Sequence, residues 1–169
     1  MKFQILALVF ISVLFSCETG VTKEKIDPID WSERAAVIDV TDSLEDGKSY
    51  LSIYSKIYSV SALKRQNLAA MVSLRNTSDL DSIFILSAHY YNTKGTLVKS
   101  YFDTAIYLAP LETVEILINE IDVTGGTGSN FIFDWKTPQN VSEPLFEAIM
   151  TSTKGQQGLS FTTQSVRIE

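Results

Sequence analysis

The chain has 169 residues, of which 45% are hydrophobic, and its 20 acidic and 14 basic residues give a formal net charge of −6. This length suits one domain with a sizeable hydrophobic core. No nucleic-acid partner is expected, because phosphate binding needs clustered Lys and Arg that the sequence does not show.

The N-terminus has the pattern of a lipoprotein signal. Lys2 is followed by an apolar run over residues 3–13, and Ser16 precedes Cys17 in the stretch Leu-Phe-Ser-Cys. A basic start, a short apolar segment and a small residue before the cut define a secretory signal. The sequence therefore predicts that residues 1–16 are removed and that Cys17 becomes the acylated first residue of a bacterial envelope protein, anchored on a periplasmic or surface membrane face.

Two other interpretations of the N-terminus are open. An uncleaved membrane anchor would have only residues 3–15, whereas a bilayer core needs about 20 apolar residues. A secretory signal cut elsewhere would leave Cys17 incidental, but no small-x-small site stands out near it. Cys17 is the only cysteine, so once acylated it leaves no disulfide, cysteine nucleophile or thiolate metal site.

Residues 17–47 are predicted to form a lipid-anchored stalk. They are rich in charge and lack apolar periodicity, which is typical of mobile or only locally ordered segments. Asp30 is a candidate cap for a short helix through Trp31 and Arg34, and residues 35–38 are a candidate for docking on the domain.

Residues 48–169 are predicted to form an all-β domain. Short apolar runs at roughly 8–12-residue spacing, separated by turn residues and without a long amphipathic helix, favour an antiparallel sandwich of the immunoglobulin-like or fibronectin-like kind. The predicted strands are residues 68–76, 83–91, 96–102, 106–109, 113–119, 130–136, 145–152 and 159–162.

Alternation within these runs predicts which side chains face the core. Burial of large aromatic side chains would anchor the two sheets in the absence of a disulfide. The inward positions predicted in this way are Leu68, Ala70, Val72 and Leu74; Val114, Ile116 and Ile118; and Phe131, Phe133 and Trp135. In residues 83–91, one side is predicted to carry Phe84, Leu86, Ala88 and Tyr90 and the other Ile83, Ile85, Ser87, His89 and Tyr91, and both sides are apolar enough for a central strand.

Several stretches resemble one uncharacterised bacterial family. They are residues 55–58, 67–70, 74–77, 90–91, 95–98, 108–111, 125–135 (GGTGSNFIFDW), 147–150 and 155–161 (GQQGLSF). Together they cover about residues 48–165, and the chain is similar over that range to domain of unknown function 3124. The resemblance implies an exported bacterial domain without an assigned activity, and it supplies no catalytic residues.

Two glycine-rich segments are candidate binding loops. Residues 124–129 lack the lysine and the following helix of a phosphate-binding loop. They are either a connection between strands or the edge (lip) of a binding site, where backbone amides without covering side chains could approach an anion or a sugar hydroxyl. Asp122, Thr127 and Asn130 are the polar groups nearest to such a ligand in sequence. Residues 155–158 are either a plain turn or a second lip that offers Gln156 and Gln157.

No catalytic group is assigned, and no metal site or cofactor is predicted. His89 is the only histidine, it lies within a predicted strand, and nothing near it in sequence completes a triad. Asp79 and Asp81 are typical of a turn, since a calcium site needs six to eight oxygen ligands. The leading hypothesis is a non-enzymatic module that binds an envelope protein or glycan, and the alternative is a hydrolase or lyase of envelope polymers that uses His89 or Glu147 for proton transfer.

Overall fold

A computed structural model describes residues 29–39, 43–59, 61–154 and 157–169. The predicted signal segment, Cys17, residues 18–28 and 40–42 of the predicted stalk, Val60, and residues 155 and 156 lie outside the described residues. Among the described residues, no helix is both long enough and apolar enough to span a membrane.

The described chain is all-β apart from a short 3-10 helix, Trp31–Arg34, and every strand pairing is antiparallel. The prediction of an all-β, antiparallel domain is therefore confirmed. The strands are β1 Leu44–Ile53, β2 Lys56–Ser59, β3 Ser61–Asn67, β4 Ala69–Arg75, β5 Ile83–Tyr91, β6 Leu97–Ser100, β7 Ile106–Leu108, β8 Thr113–Ile118, β9 Ser129–Pro138, β10 Leu145–Lys154, β11 Gln157–Gln164 and β12 Val166–Arg167.

Two sheets share one hydrophobic core. One sheet has the order β12-β1-β9-β5-β6, with β7 also paired to β5, and the other has the order β11-β10-β4-β8. Phe133 of the first sheet stacks on Phe146 of the second, with ring centroids 4.1 Å apart and the planes 4° from parallel. Phe133 also stacks on Phe131 at 5.3 Å, so a column of aromatic rings joins the sheets.

Most of the predicted inward positions are correct. All four in β4 and its preceding residue, all three in β8 and all three in β9 are buried, with relative exposures no higher than 4%. β8 and β9 follow alternation throughout, because each has one face on the core. β4 departs from it only at Ser73, which is buried on the opposite face.

The predicted grouping of Phe84 and Leu86 with Ala88 and Tyr90 on one side of β5 is wrong. Ile83 and Ile85 are buried on the same face as Ala88 and Tyr90, whereas Phe84 and Leu86 are only partly buried. Ile85 pairs with Trp135 and Ser87 with Asp134, so Leu86 is an extra residue without a partner on β9. After this β-bulge, the other set of alternate side chains points toward the core. Strict alternation along the sequence does not predict such a change.

The first strand begins at Leu44, within the segment predicted as stalk, and pairs with β9 along its whole length. Gly47 allows this pairing, since a Cβ atom at that position would lie 2.1 Å from the ring of Trp135. The Trp135 ring nitrogen donates a hydrogen bond to Ser49 Oγ at 3.0 Å. The glycine and serine of β1 therefore accommodate the largest side chain of the core.

The predicted cap and docking of the preceding segment are both found. Asp30 accepts a hydrogen bond from the Ser32 amide at 2.9 Å and caps the 3-10 helix. It also accepts one from the Ser32 hydroxyl at 2.6 Å, and this second bond is the main cause of the lowered pKa of the Asp30 carboxyl, with the amide bond contributing. Trp31 packs on Phe102 with ring centroids 5.1 Å apart. Ala35 then forms a bridge with Ile106, so this part of the predicted stalk belongs to the folded unit.

Strand direction gathers several connections at one end of the molecule, called here the loop end. The register pairs of Ile53 with Ser129, of Tyr91 with Asn130 and of Ala70 with Ile118 lie at this end. Beyond them lie three described connections: the β2–β3 hairpin, the turn over residues 92–96 and the connection over residues 119–128. The paired ends of β10 and β11, Lys154 and Gln157, lie at the same end.

Replacing Phe133 by alanine should remove the ring that joins the two sheets. Phe133 is fully buried, so we expect the free energy of unfolding to fall by about 3–5 kcal/mol. Ile132→Ala is the matched control, because Ile132 is only partly buried and points away from the core. Urea unfolding of both variants tests the register, and a larger loss for Ile132→Ala would contradict it.

Candidate functional site

The glycine-rich connection at the loop end begins with a self-capped turn. Asp122 accepts hydrogen bonds through Oδ1 from both the amide and the hydroxyl of Thr124, at 3.1 and 2.6 Å. Such Asx turns are a common way for an aspartate to fix the start of a loop. The Asp122 carboxylate is therefore engaged within its own loop.

Gly125 makes the closest approach of this loop to the domain. A Cβ atom at Gly125 would lie 1.8 Å from the hydroxyl oxygen of Tyr90 and 2.6 Å from Ser55 Oγ. That space is filled by a buried hydroxyl network: Tyr90 Oη lies 2.8 Å from Ser55 Oγ and donates to Ser129 Oγ at 3.2 Å. Ser129 in turn donates to the carbonyl of Ile53 at 2.8 Å. Only glycine fits at position 125 without displacing this network.

Backbone hydrogen bonds attach the same loop to two neighbouring turns. The Gly126 carbonyl accepts from the amides of Ser55 and Lys56, both at 3.2 Å. The Gly125 carbonyl accepts from the amide and the hydroxyl of Thr93, at 2.9 and 3.0 Å. The loop is therefore a structural joint that holds the base of the β2–β3 hairpin and the turn after β5.

Three amides of the glycine loop already donate hydrogen bonds within the domain. Those of Thr124, Gly126 and Gly128 donate to Asp122, the Val123 carbonyl and Thr93 Oγ1, respectively. An anion bound here would have to replace these hydrogen bonds. This geometry favours the interpretation of the segment as a connection between strands over a ready-made anion cradle.

The other predicted ligand-binding residues are spread over the loop end. Thr127 is partly exposed on the glycine loop. Asn130 lies on β9, paired with Tyr91 and Ser52, and points away from the core. Gln157 begins β11, and the Gln157 side chain and Gln156 lie outside what the structure describes. The structure thus brings Asp122 and Thr127 into one loop and places Asn130 on the adjoining sheet face.

The sequence analysis missed the most prominent feature of this end, the β2–β3 hairpin. The hairpin forms a sheet of its own and is part of neither larger sheet. Its base is closed by a hydrogen bond from the Leu68 amide to the Ser55 carbonyl at 2.9 Å, and Ile57 packs against the core. Across the hairpin, Arg65 lies over the ring of Tyr58, 5.2 Å from its centroid.

The hairpin is exposed and basic. Leu63 is 98% exposed and Tyr58 is 54% exposed, and six of the seven residues of β3 are exposed. Residues 48–78 contain five basic residues and no acidic one, although the whole chain is acidic. A charge-pattern analysis along the sequence would have revealed this segment.

The two proposed proton-transfer groups lie on the outer faces of different sheets. His89 lies between the buried residues Ala88 and Tyr90 and contacts the ring of Tyr91. Glu147 lies between the buried residues Phe146 and Ala148, and its carboxylate is 3.1 Å from Arg75 Nε. The shared core separates these two side chains, so they cannot act as an acid and base pair on one substrate.

Other ionisable clusters offer little chemistry. No group of three or more His, Cys, Asp or Glu among the described residues is arranged to hold a metal ion. Burial raises the pKa of Tyr101 to about 12, with the nearby Tyr90 and Asp122 contributing, so its phenol is protonated at neutral pH.

A shallow pocket beside Gly47 is occupied by paired charges, because Lys48 Nζ lies 3.0 Å from Glu169 and 3.6 Å from Asp134. The hydrogen bond to Glu169 is the main cause of the raised pKa of Lys48.

Gly125→Ala and Gly128→Ala form a matched pair that tests the role of the glycine loop. We expect Gly125→Ala to lower the free energy of unfolding by about 3 kcal/mol, since the new methyl group would overlap the Tyr90 hydroxyl. Gly128→Ala should change it by less than about 0.5 kcal/mol, since its Cβ would only touch Thr93 Cγ2 at 3.7 Å. Equal losses in urea unfolding would contradict the structural role of Gly125.

Comparison with known proteins yields one result. No curated protein matches the chain, and no solved structure does so. The family described as "Protein of unknown function (DUF3124)" matches residues 46–168, which includes every strand from β2 to β12 and nearly all of β1. The chain belongs to this family, in agreement with the resemblance found in the sequence.

Proposed function

We propose that this protein is a lipid-anchored bacterial envelope protein whose domain is a non-enzymatic interaction module. The observation that carries the proposal is the loop end, where a rigid double-sheet core supports an exposed basic hairpin. Recognition often resides in loops at the end of a rigid scaffold, since they can vary without disturbing the sheets. An envelope protein or glycan is the proposed class of partner.

The proposed fold is an immunoglobulin-like or fibronectin-like sandwich with two strands exchanged. In that fold the second strand pairs with the fifth and the third with the sixth. The pairings of β4 with β8 and of β5 with β9 fit this pattern. Here, however, β1 pairs with β9 and β10 pairs with β4, so the first and last strands of the common pattern have changed places.

The proposed anchor is the acylated Cys17. The sequence before it supports cleavage after Ser16, and two or three acyl chains would hold the mature chain stably on a membrane face. The anchor and the domain are joined by a short connection, because the described fold begins at residue 29. The domain would therefore act close to the membrane.

Binding is favoured over catalysis by the placement of the polar groups. His89 and Glu147, the candidates for the alternative hydrolase or lyase, lie on different sheets. Asp122 and Thr127 belong to the glycine-rich connection at the loop end, Asn130 adjoins them on β9, and Gln157 begins β11. A partner at the loop end would meet these polar residues beside the hairpin.

Complementation in a bacterial host tests the proposal. In a strain that lacks the protein, the full chain should restore the envelope defect and carry an acyl label. Cys17→Ser should lose the label and either leave the membrane fraction or accumulate as an unprocessed precursor. His89→Ala and Glu147→Gln should restore the defect as well as the wild type does.

Two results would contradict the proposal. A wild-type chain that stays in the membrane fraction without acyl label would exclude the anchor at Cys17. Loss of complementation in a folded His89→Ala or Glu147→Gln variant would support the envelope hydrolase or lyase instead. Folding is checked by urea unfolding of the purified variants.

A further inference from the structure

We propose that the β2–β3 hairpin is a membrane-contact element that docks on an anionic phospholipid surface. The inference deepens the proposed function, on which it rests for the presence of a nearby membrane: the hairpin contacts the lipid, and Thr127 and Asn130 beside it are left to the envelope partner. The hairpin would orient the anchored domain so that the loop end faces the lipid.

The shape of the hairpin fits insertion into an interface. β2 and β3 project from the domain as a separate two-stranded sheet, and an isolated hairpin of this size gains little stability from its own pairing. It is instead held at its base by the Gly126 carbonyl and by Ile57. The domain therefore supports an extension that contributes little to its own core.

The side chains of the hairpin combine apolar, aromatic and cationic groups. Leu63 is almost fully exposed, and Tyr58 is more than half exposed. Lys64 and Arg65 follow directly on the same exposed strand, and Lys56 begins β2. Apolar groups that enter the acyl boundary, tyrosines that lie at the headgroup level and cations that pair with phosphates make up an interfacial membrane site.

The charge distribution would orient the domain on such a surface. Lys56, Lys64 and Arg65 lie on the hairpin, which contains no acidic residue. The other basic residues of 48–78 lie elsewhere and are paired, Lys48 with Glu169 and Arg75 with Glu147. An anionic surface attracts the hairpin and repels the acidic remainder of the domain. Such a surface therefore favours an approach with the hairpin first.

A lipid surface explains more of the exposed side chains of the hairpin than a soluble polyanion does. Phosphates of a free polymer would pair with Lys64 and Arg65 but would leave Leu63 in water. The proposed acyl anchor also keeps a membrane at high effective concentration. Residues 17–28 span at most about 40 Å when extended. Trp31 packs on Phe102, and the amide of Tyr101 donates to the carbonyl of Ala88, three residues before β5 ends. The described chain therefore begins near the loop end, and the anchor point and the hairpin can contact the same membrane.

Vesicle binding by a chain of residues 18–169 tests the inference without the anchor. This chain contains every described residue and no cysteine. We expect flotation with phosphatidylcholine vesicles that contain phosphatidylglycerol, but not with pure phosphatidylcholine. The double variant Lys64→Glu, Arg65→Glu should bind more than about tenfold more weakly. Lys94→Glu, which reverses one exposed charge in the neighbouring turn, should reduce binding by less than about fivefold.

A fluorophore then reports whether the hairpin enters the lipid. Leu63→Cys and Leu80→Cys each give the 18–169 chain one exposed cysteine, the first on the hairpin and the second in the turn between β4 and β5. After labelling with an environment-sensitive dye, emission should shift to the blue on addition of the anionic vesicles at position 63 and not at position 80. Both positions are on the surface, so neither substitution threatens the fold.

Three outcomes would overturn the inference. The first is the absence of binding to the anionic vesicles, and the second is an equal loss of binding for Lys94→Glu and the double variant. The third is binding without a dye shift at position 63, which would indicate a purely electrostatic site for soluble polyanions. If Cys17 carries an acyl label and any of these occurs, the anchor proposal stands and the hairpin proposal fails.

Discussion

Tyr90 links the hydrophobic core to the loop end, and both parts of the structure depend on it. Its ring stacks on Phe131 with centroids 4.9 Å apart, and so it continues the aromatic column that joins the two sheets. Its hydroxyl bonds to Ser55 and Ser129 in a buried network. Because a buried hydroxyl must be hydrogen-bonded, the core fixes the position of the loops as firmly as that of the strands.

The glycine loop follows from this arrangement. Gly125 lies where any side chain would overlap the Tyr90 hydroxyl, and Gly126 holds the hairpin base through its carbonyl. The proposed contact surface is therefore the hairpin and not the glycine loop that the sequence analysis singled out. The glycines support the hairpin, which exposes basic and apolar side chains.

The sequence predicted the parts of the fold that obey simple alternation. β4, β8 and β9 each have one buried face, so their inward residues could be read directly. The bulge at Leu86 could not be predicted, because one unpaired residue does not change the apolar pattern of the sequence. The start of β1 was missed because Glu45, Asp46 and Gly47 are poor strand formers, and their pairing depends on Trp135 of a distant strand. The predicted loop residues were similarly chosen without knowledge of Tyr90, 35 residues earlier in the chain than Gly125.

Hydrogen exchange in Tyr90→Phe tests most directly whether the core holds the hairpin through Tyr90. Loss of the hydroxyl leaves Ser55 without its buried partner, so the amides of Ser55 and Lys56 should exchange about tenfold faster or more. Amides at the centre of the β1–β9 pairing, such as those of Ser49 and Phe133, should change only with the global stability. Unchanged exchange at Ser55 and Lys56, or equal acceleration throughout the domain, would contradict this account.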